Sequence, residues 1–316
     1  MANHEIRPLP IAVRVFPDRS DAERDLRSEK SWRLPEGMLV FDTETRVDAT
    51  QKLTFGSYRF IVAGQCLEQG LFYAADLPKA DIRVLKEYAA HHSAETVTVK
   101  ELRLLTRKEF LDVFFDLAYR SRCLVVGFNL PFDLSRLAFD FSPARGFFAG
   151  GFSLGLWSYT DPTGRERPNG FRPRICIKHV DSKRALIAFT ARNSPDQVDL
   201  IPEGSLSGEP RPGYKFPGYF LDLRTIAFAL TDEAYSLEGA CKAFGVEHGK
   251  QRVVHHGVTT ADYIDYNRRD VLAASELAVK LIHELARHPI AVPPTHAYSP
   301  ASIGKGYLRA MGVEPI

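Results

Sequence analysis

Apolar and polar positions along the chain fall into recognisable runs. Met38, Leu39, Val40 and Phe41 form an unbroken apolar stretch that ends on two acids, Asp42 and Glu44. Such a run is the mark of a short buried strand. Alternate side chains of an extended backbone share a face, so the two carboxylates project together from the strand end. Ser57–Leu67 and Gly70–Ala75 read as a hairpin turning at Glu68–Gln69, and a further strand is expected at Glu95–Lys100. From Thr106 to Arg120 the pattern changes to helical spacing, with Phe110, Phe114, Leu117 and Ala118 as the apolar stripe. Thr106 and Glu109 have the spacing of a capping box at its start. Leu124–Phe128 is the next buried strand, and NLPFDLSRLAFD follows at once. In that segment Asn129 suits a helix cap, Pro131 a first turn, and Asp133 the start of the helix, close to where Asp42 and Glu44 emerge.

Residues 143–217 differ in texture, with frequent Gly and Pro and short strands at Phe152–Tyr159, Arg174–His179 and Ala185–Thr190. They read as a β-rich insertion ending in a long loop, Asn193–Pro217. The core pattern resumes with a strand at Tyr219–Leu223 and helices at Thr225–Leu230 and Ser236–Phe244, the latter stopped by Gly245. Thr259 or Thr260 opens a long helix to about Arg287, on which Tyr266 and Asp270 are four apart and share a face. Pro289, Pro293 and Pro294 make a linker, and Ser299–Pro300 start a last helix. Ahead of everything, residues 1–36 read as an arm with a strand at Ile11–Phe16 and a charged helix at Ser20–Trp32. Strands interleaved with helices make this an α/β chain. The expected divisions are an arm (1–36), a main domain (37–288, insertion included) and a C-terminal linker with helix (289–316).

Composition changes this picture little. A chain of 316 residues with 45% hydrophobic and 25% charged positions has ample material for a buried core. A formal charge of +2 does not announce nucleic acid, so any basic surface must be local. The insertion offers one, interleaving Arg165, Arg167, Arg172, Arg174, Lys178, Lys183 and Arg184 with Trp157, Tyr159 and Phe171. Such a mixture suits phosphate neutralisation and base stacking. Cys66, Cys123, Cys176 and Cys241 are far apart, which speaks against a zinc site or a disulfide framework. No apolar run has membrane-spanning length and the N-terminus lacks a signal-peptide layout, so a cytoplasmic protein without a membrane partner is expected.

Three patterns carry the candidate chemistry: Asp42-x-Glu44 on a strand, Asn129-x-x-x-Asp133 opening a helix, and Tyr266-x-x-x-Asp270 on a late helix. Their order and contexts resemble the 3′→5′ exonucleases with four acidic residues and a tyrosine in the third motif. FNLPFDLSRLA, YFLDLRTIAFAL and SPASIGKGYLRAMGV are similar to segments of the exonuclease domain of family B DNA polymerases. The resemblance covers residues 37–316 in outline, without residues 1–36 or the body of 143–217, and no polymerase motifs follow. It implies a ribonuclease H-like fold, a mixed central sheet flanked by helices, and hydrolysis of DNA from a single-stranded or frayed 3′ end. It also implies two Mg2+ or Mn2+ ions held by Asp42, Glu44, Asp133 and Asp270, with Tyr266 orienting the attacking water. Thr43, Asn129, Asn267 and Arg269 are the expected substrate contacts, and Arg268 a candidate phosphate contact. Phe132, among apolar neighbours, reads as core. An RNA-trimming enzyme of the same fold and a catalytically retired nucleic-acid-binding module are the rival expectations. The C-terminal segment would join a larger protein or complex if the chain works as part of one.

Overall fold

The computed structural model describes residues 33–97, 100–190, 216–248 and 257–313. The expected arm elements at Ile11–Phe16 and Ser20–Trp32, and nearly all of the loop at 193–217, lie outside them.

The apolar run at Met38 does form a strand, β1 (Gly37–Thr45), and it occupies the middle of a six-stranded sheet. Its neighbours are β2 (Leu53–Val62) and β5 (Leu124–Gly127). Outside β2 lie β3 (Gln65–Tyr73) and β4 (Arg103–Thr106), and outside β5 lies β12 (Tyr219–Asp222). β1, β2 and β3 run antiparallel in succession, whereas β1–β5, β5–β12 and β3–β4 are parallel pairs. The period of two along β1 divides the core. Leu39 and Phe41 face a layer containing Phe110, Phe114, Leu130 and Leu134, while Met38 and Val40 face Leu223, Ile226, Ala274 and Leu277.

The first layer holds α2 (Arg107–Phe114), which runs on as a π-helical turn at Phe115–Arg120, and α3 (Leu130–Leu137). The expected capping box is present: the Thr106 side chain accepts from the Glu109 amide while Glu109 accepts from the Thr106 amide. The second layer holds α4 (Leu223–Thr231), α5 (Leu237–Ala243), the long α6 (Ala261–Ala286) and α7 (Pro300–Ala310). Each starts on a side-chain cap, respectively Asp222, Ser236, Thr260 and Ser299.

The insertion is a second, antiparallel sheet in the order β11-β10-β7-β6, made of β6 (Asp140–Pro143), β7 (Phe152–Gly155), β10 (Ile175–His179) and β11 (Ala185–Phe189). A small ribbon, β8 (Ser158–Thr160) with β9 (Glu166–Pro168), extends from it. Its inward face supplies Leu154, Ile175, Ile177 and Phe189 to the same core as Leu39 and Phe41, so the insertion packs as part of the first layer.

Two local expectations need correction. The hairpin turns at Ala63–Gly64, not at Glu68–Gln69: both residues take positive φ (48° and 78°), as a tight two-residue turn between twisted strands requires. The Ala there disguised the turn. The strand expected at Glu95–Lys100 is not present among the described residues, where only an isolated bridge, Ser93 to Glu101, occurs; the strand falls at β4. A helix, α1 (Lys79–His91), precedes it, and its start on Pro78 without a side-chain cap left no signal to read. No helix among the described residues is long and apolar enough to cross a membrane.

Candidate active site at the carboxyl end of the central sheet

The alternation that divides the core also sorts the acids. Asp42 and Glu44 continue the Met38–Val40 face and so point to the side of α6, while Thr43 between them points to the side of α3. What each meets follows from that. The Asn267 amide donates to Asp42 Oδ2 at 2.7 Å and to Glu44 Oε1 at 3.3 Å, and the Tyr263 hydroxyl donates to Glu44. On the other side the Thr43 hydroxyl donates to Asp133 Oδ1 at 2.7 Å and its backbone N–H at 3.2 Å.

Helix α6 presents Tyr263, Tyr266, Asn267 and Asp270 along one buried stripe, the spacing of positions three and four apart. The Tyr266 hydroxyl hydrogen-bonds Asp270 and lies in the field of Glu44 and Asp42. Burial first, then those carboxylates, push the Tyr266 and Tyr263 phenols far above their ordinary range, so both stay protonated and act as donors. The opposite side of α6 is tied down independently. Arg268 donates to the Tyr88 hydroxyl at 2.8 Å, and to Gln69 Oε1 and the Ser93 carbonyl at 3.1 Å, and Tyr88 in turn bonds Asp265. Arg268 is therefore a strut between α6, α1 and β3, which corrects its reading as a phosphate contact.

Asp133 is fully enclosed, and burial lifts its carboxyl to about 7 against the pull of the two Thr43 bonds, with Asp222 and Glu44 adding to the rise. Asp222 caps α4 through the Thr225 hydroxyl and amide, accepts from the Leu130 N–H at 3.0 Å, and is raised by burial to about 6. The site therefore concentrates carboxylates that low dielectric disfavours.

Asn267 is wholly buried at 0% exposure, and its Oδ1 has no hydrogen-bond partner. Turning the amide over would set that oxygen against two carboxylates, so the observed orientation is the favourable one. The Asp42 and Glu44 carboxylates are hard oxygen donors of the kind a divalent magnesium-like cation takes, and a cation would offset their mutual repulsion. The donor set fits. The complete constellation is more open than the sequence implied: among the described residues no three His, Cys, Asp or Glu side chains are gathered closely enough to hold an ion. The reason is visible in the partners, since Thr43 draws Asp133 to one side of β1 and Tyr266 draws Asp270 along its own helix.

The expected substrate contacts fare unevenly. Thr43 and Asn267 are buried and spend their polar groups on Asp133, Asp42 and Glu44, so they organise acids. Asn129 occupies the N-cap position of α3 but its side chain makes no cap bond and is exposed. Arg269 is exposed on α6, off the stripe that carries Asp270. Sequence reasoning missed Tyr263; its place four before Asn267 and three before Tyr266 was the available signal. It also gave Asp222 no role. No family model matches the chain, and no curated protein matches it significantly.

Proposed function

We propose that the chain is a metal-dependent 3′→5′ exonuclease of the ribonuclease H-like class, hydrolysing DNA from a single-stranded or frayed 3′ end to nucleoside monophosphates. The observation that carries the reading is the joining of three distant segments at one sheet end. Asp42 and Glu44 are bonded to α6 through Asn267, Glu44 and Asp42 act on Tyr266 beside Asp270, and Asp133 is bonded to Thr43 between the first two acids. The mixed central sheet with helices on both faces supports the fold assignment.

Asp42, Glu44, Asp133 and Asp270 would hold the divalent ions. Bound there, such ions lower the pKa of water and neutralise charge developing on the phosphate. The protein's own groups do the rest. Asn267 and Tyr263 fix the Asp42–Glu44 pair, and Thr43 fixes the rotamer of Asp133. Tyr266 would orient the attacking water by a hydrogen bond; without metal, burial and the carboxylates beside it hold its phenol high. Water adds to phosphorus as the P–O3′ bond breaks, leaving a 3′-hydroxyl on the shortened strand.

The test is a time course on 5′-labelled single-stranded DNA and matched RNA with Mg2+, Mn2+ and chelator. A metal-dependent ladder shortening from the 3′ end of DNA, lost in Asp270→Ala, is expected. A ladder on RNA alone would reassign the substrate, and absence of cleavage on both would overturn the reading.

A further inference from the structure

Between α3 and the second sheet lies a cleft of ≈570 Å³. Its origin is a mismatch of lengths. The inward face of the second sheet is mostly apolar, and Leu154, Ile175 and Ile177 on it join the core. The β6–β7 edge continues past the main body, so Phe141 and Phe152 remain 71% and 53% exposed while still lining the cleft. The opposite wall is α3 itself. Phe132, which the sequence placed in the core, is only partly buried there and carries the Arg136 guanidinium over its ring at 4.7 Å.

We infer that this cleft seats the unpaired bases of a DNA strand whose 3′ end lies at the acids, with Phe141 and Phe152 as the stacking wall. The inference rests on the proposed function. Four observations favour this occupant. Aromatic rings stand on both walls, and base–aromatic stacking is tolerant of sequence. Arg136 and Arg224 line the same cleft, and the Nε of Arg224 is buried with no partner. The single carboxylate among the lining residues, Asp140, is already neutralised by Arg174 at 2.8 Å. Finally, Arg136 of the cleft wall lies in the field of Asp133, which sets the cleft near that acid. The volume falls in the range of small-molecule sites, about 300–1,000 Å³, and suits bases presented singly; paired bases offer no free face for the rings.

Of the basic and aromatic residues that the sequence singled out in the insertion, three are engaged elsewhere, while Tyr159 and Phe171 are exposed but do not line this cleft. Trp157 is buried with its indole N–H on the Leu111 carbonyl, Arg172 pairs with Asp112, and Arg184 pairs with Asp181. The stacking surface thus falls on residues outside that set.

The test compares the wild-type chain with Phe141→Ala/Phe152→Ala. Binding of a fluorescein-labelled oligothymidylate is measured by anisotropy in chelator, and hydrolysis of that oligonucleotide and of a dinucleotide in Mg2+. Both rings are exposed, so the melting temperature should be preserved. The double variant should bind the oligonucleotide roughly 10- to 100-fold more weakly, with a raised KM on it and unchanged hydrolysis of the dinucleotide, which reaches only the acids. Equal oligonucleotide binding and KM in variant and wild type, with hydrolysis intact in both, would overturn this inference alone and leave the cleft to a protein segment. A wild-type chain that hydrolyses neither substrate would overturn the functional reading, and this inference with it.

Discussion

The acid end of the central sheet and the outer surface of the second sheet both gather charged side chains, and they treat them in opposite ways. At the sheet end Asp133, Asp222 and Asp270 are buried, and their partners are hydroxyls and amides. On the second sheet and its ribbon the acids pair with arginines near solvent: Asp161 with Arg167 at 3.0 Å, Asp181 with Arg184 at 2.6 Å, Asp140 with Arg174 at 2.8 Å. Burial lifts the Asp133 and Asp222 carboxyls, whereas hydrogen bonds and arginines lower those of Asp161 and Asp181. A fold seeking only stability would adopt the second arrangement, because buried like charges oppose folding. Their retention at one end of the sheet is what the proposed active site would require.

The sharpest way to break this contrast is to remove carboxylates from the sheet end. Asp42→Ala should lower 3′→5′ hydrolysis on the order of 10³-fold or more, while thermal unfolding of the metal-free protein shows no large loss. A variant that unfolded but stayed active in proportion to its folded fraction would reverse the assignment. Next in size is Asn267→Ala, which removes the amide joining Asp42 to Glu44 and should weaken half-saturation by Mg2+ roughly 10- to 100-fold, read from activity against metal concentration. Arg268→Ala tests the strut behind the site. Three hydrogen bonds from a charged donor are lost, so unfolding by urea should show a deficit of about 2–4 kcal/mol, with the remaining folded protein less active because α6 is no longer held against α1.

These variants also show how far the sequence could be read. The facing of Asp42 with Glu44 and of Tyr266 with Asp270 was legible because strand and helix periods are rigid, two along β1 and three or four along α6, whereas the grouping of these with Asp133 came from the motif resemblance. The same rule placed Thr43 on the opposite face, a consequence that motif matching ignored by treating it as a substrate contact. Asn267 and Arg268 were misread for another reason. Both are polar residues on a helix, and only the tertiary neighbours β1, α1 and β3 decide that one is buried and the other bridged. The helix α1 and the turn at Ala63–Gly64 lacked local marks, a side-chain cap in one case and the usual residue pair in the other.

The contrast has a pH signature. Asp222 is raised to about 6 by burial, with Arg224 opposing the rise and Asp133 close by. A carboxyl whose folded pKa lies above its unfolded value binds more protons folded than unfolded, so its contribution to stability declines as pH rises from near 4 through 6. The decline has a limit of about 1.4 kcal/mol per pH unit for one group. Metal-free protein should accordingly melt higher at pH 5 than at pH 7.5. Asp222→Asn should be less stable throughout, having lost acceptors for Thr225, yet show a flatter profile between those values. A slope identical to wild type would remove Asp222 as its source.

The smallest effect is expected where the charges are most numerous. In Arg167→Ala the exposed partner of Asp161 is lost, but Asp161 still accepts from the Thr163 hydroxyl at 2.6 Å and from the Thr163 and Arg165 amides at 2.9 and 3.0 Å. The turn at the tip of the β8–β9 ribbon therefore keeps its geometry. Half of the Arg167 side chain already faces water, where an ion pair gains little over hydration. A change in melting temperature below about 2 °C and unaltered hydrolysis of single-stranded DNA are the expected results. A several-fold loss of DNA binding in this variant alone would mean that the ribbon's arginines reach the substrate after all, and that the second sheet's surface charges and the acids of the central sheet belong to one functional surface.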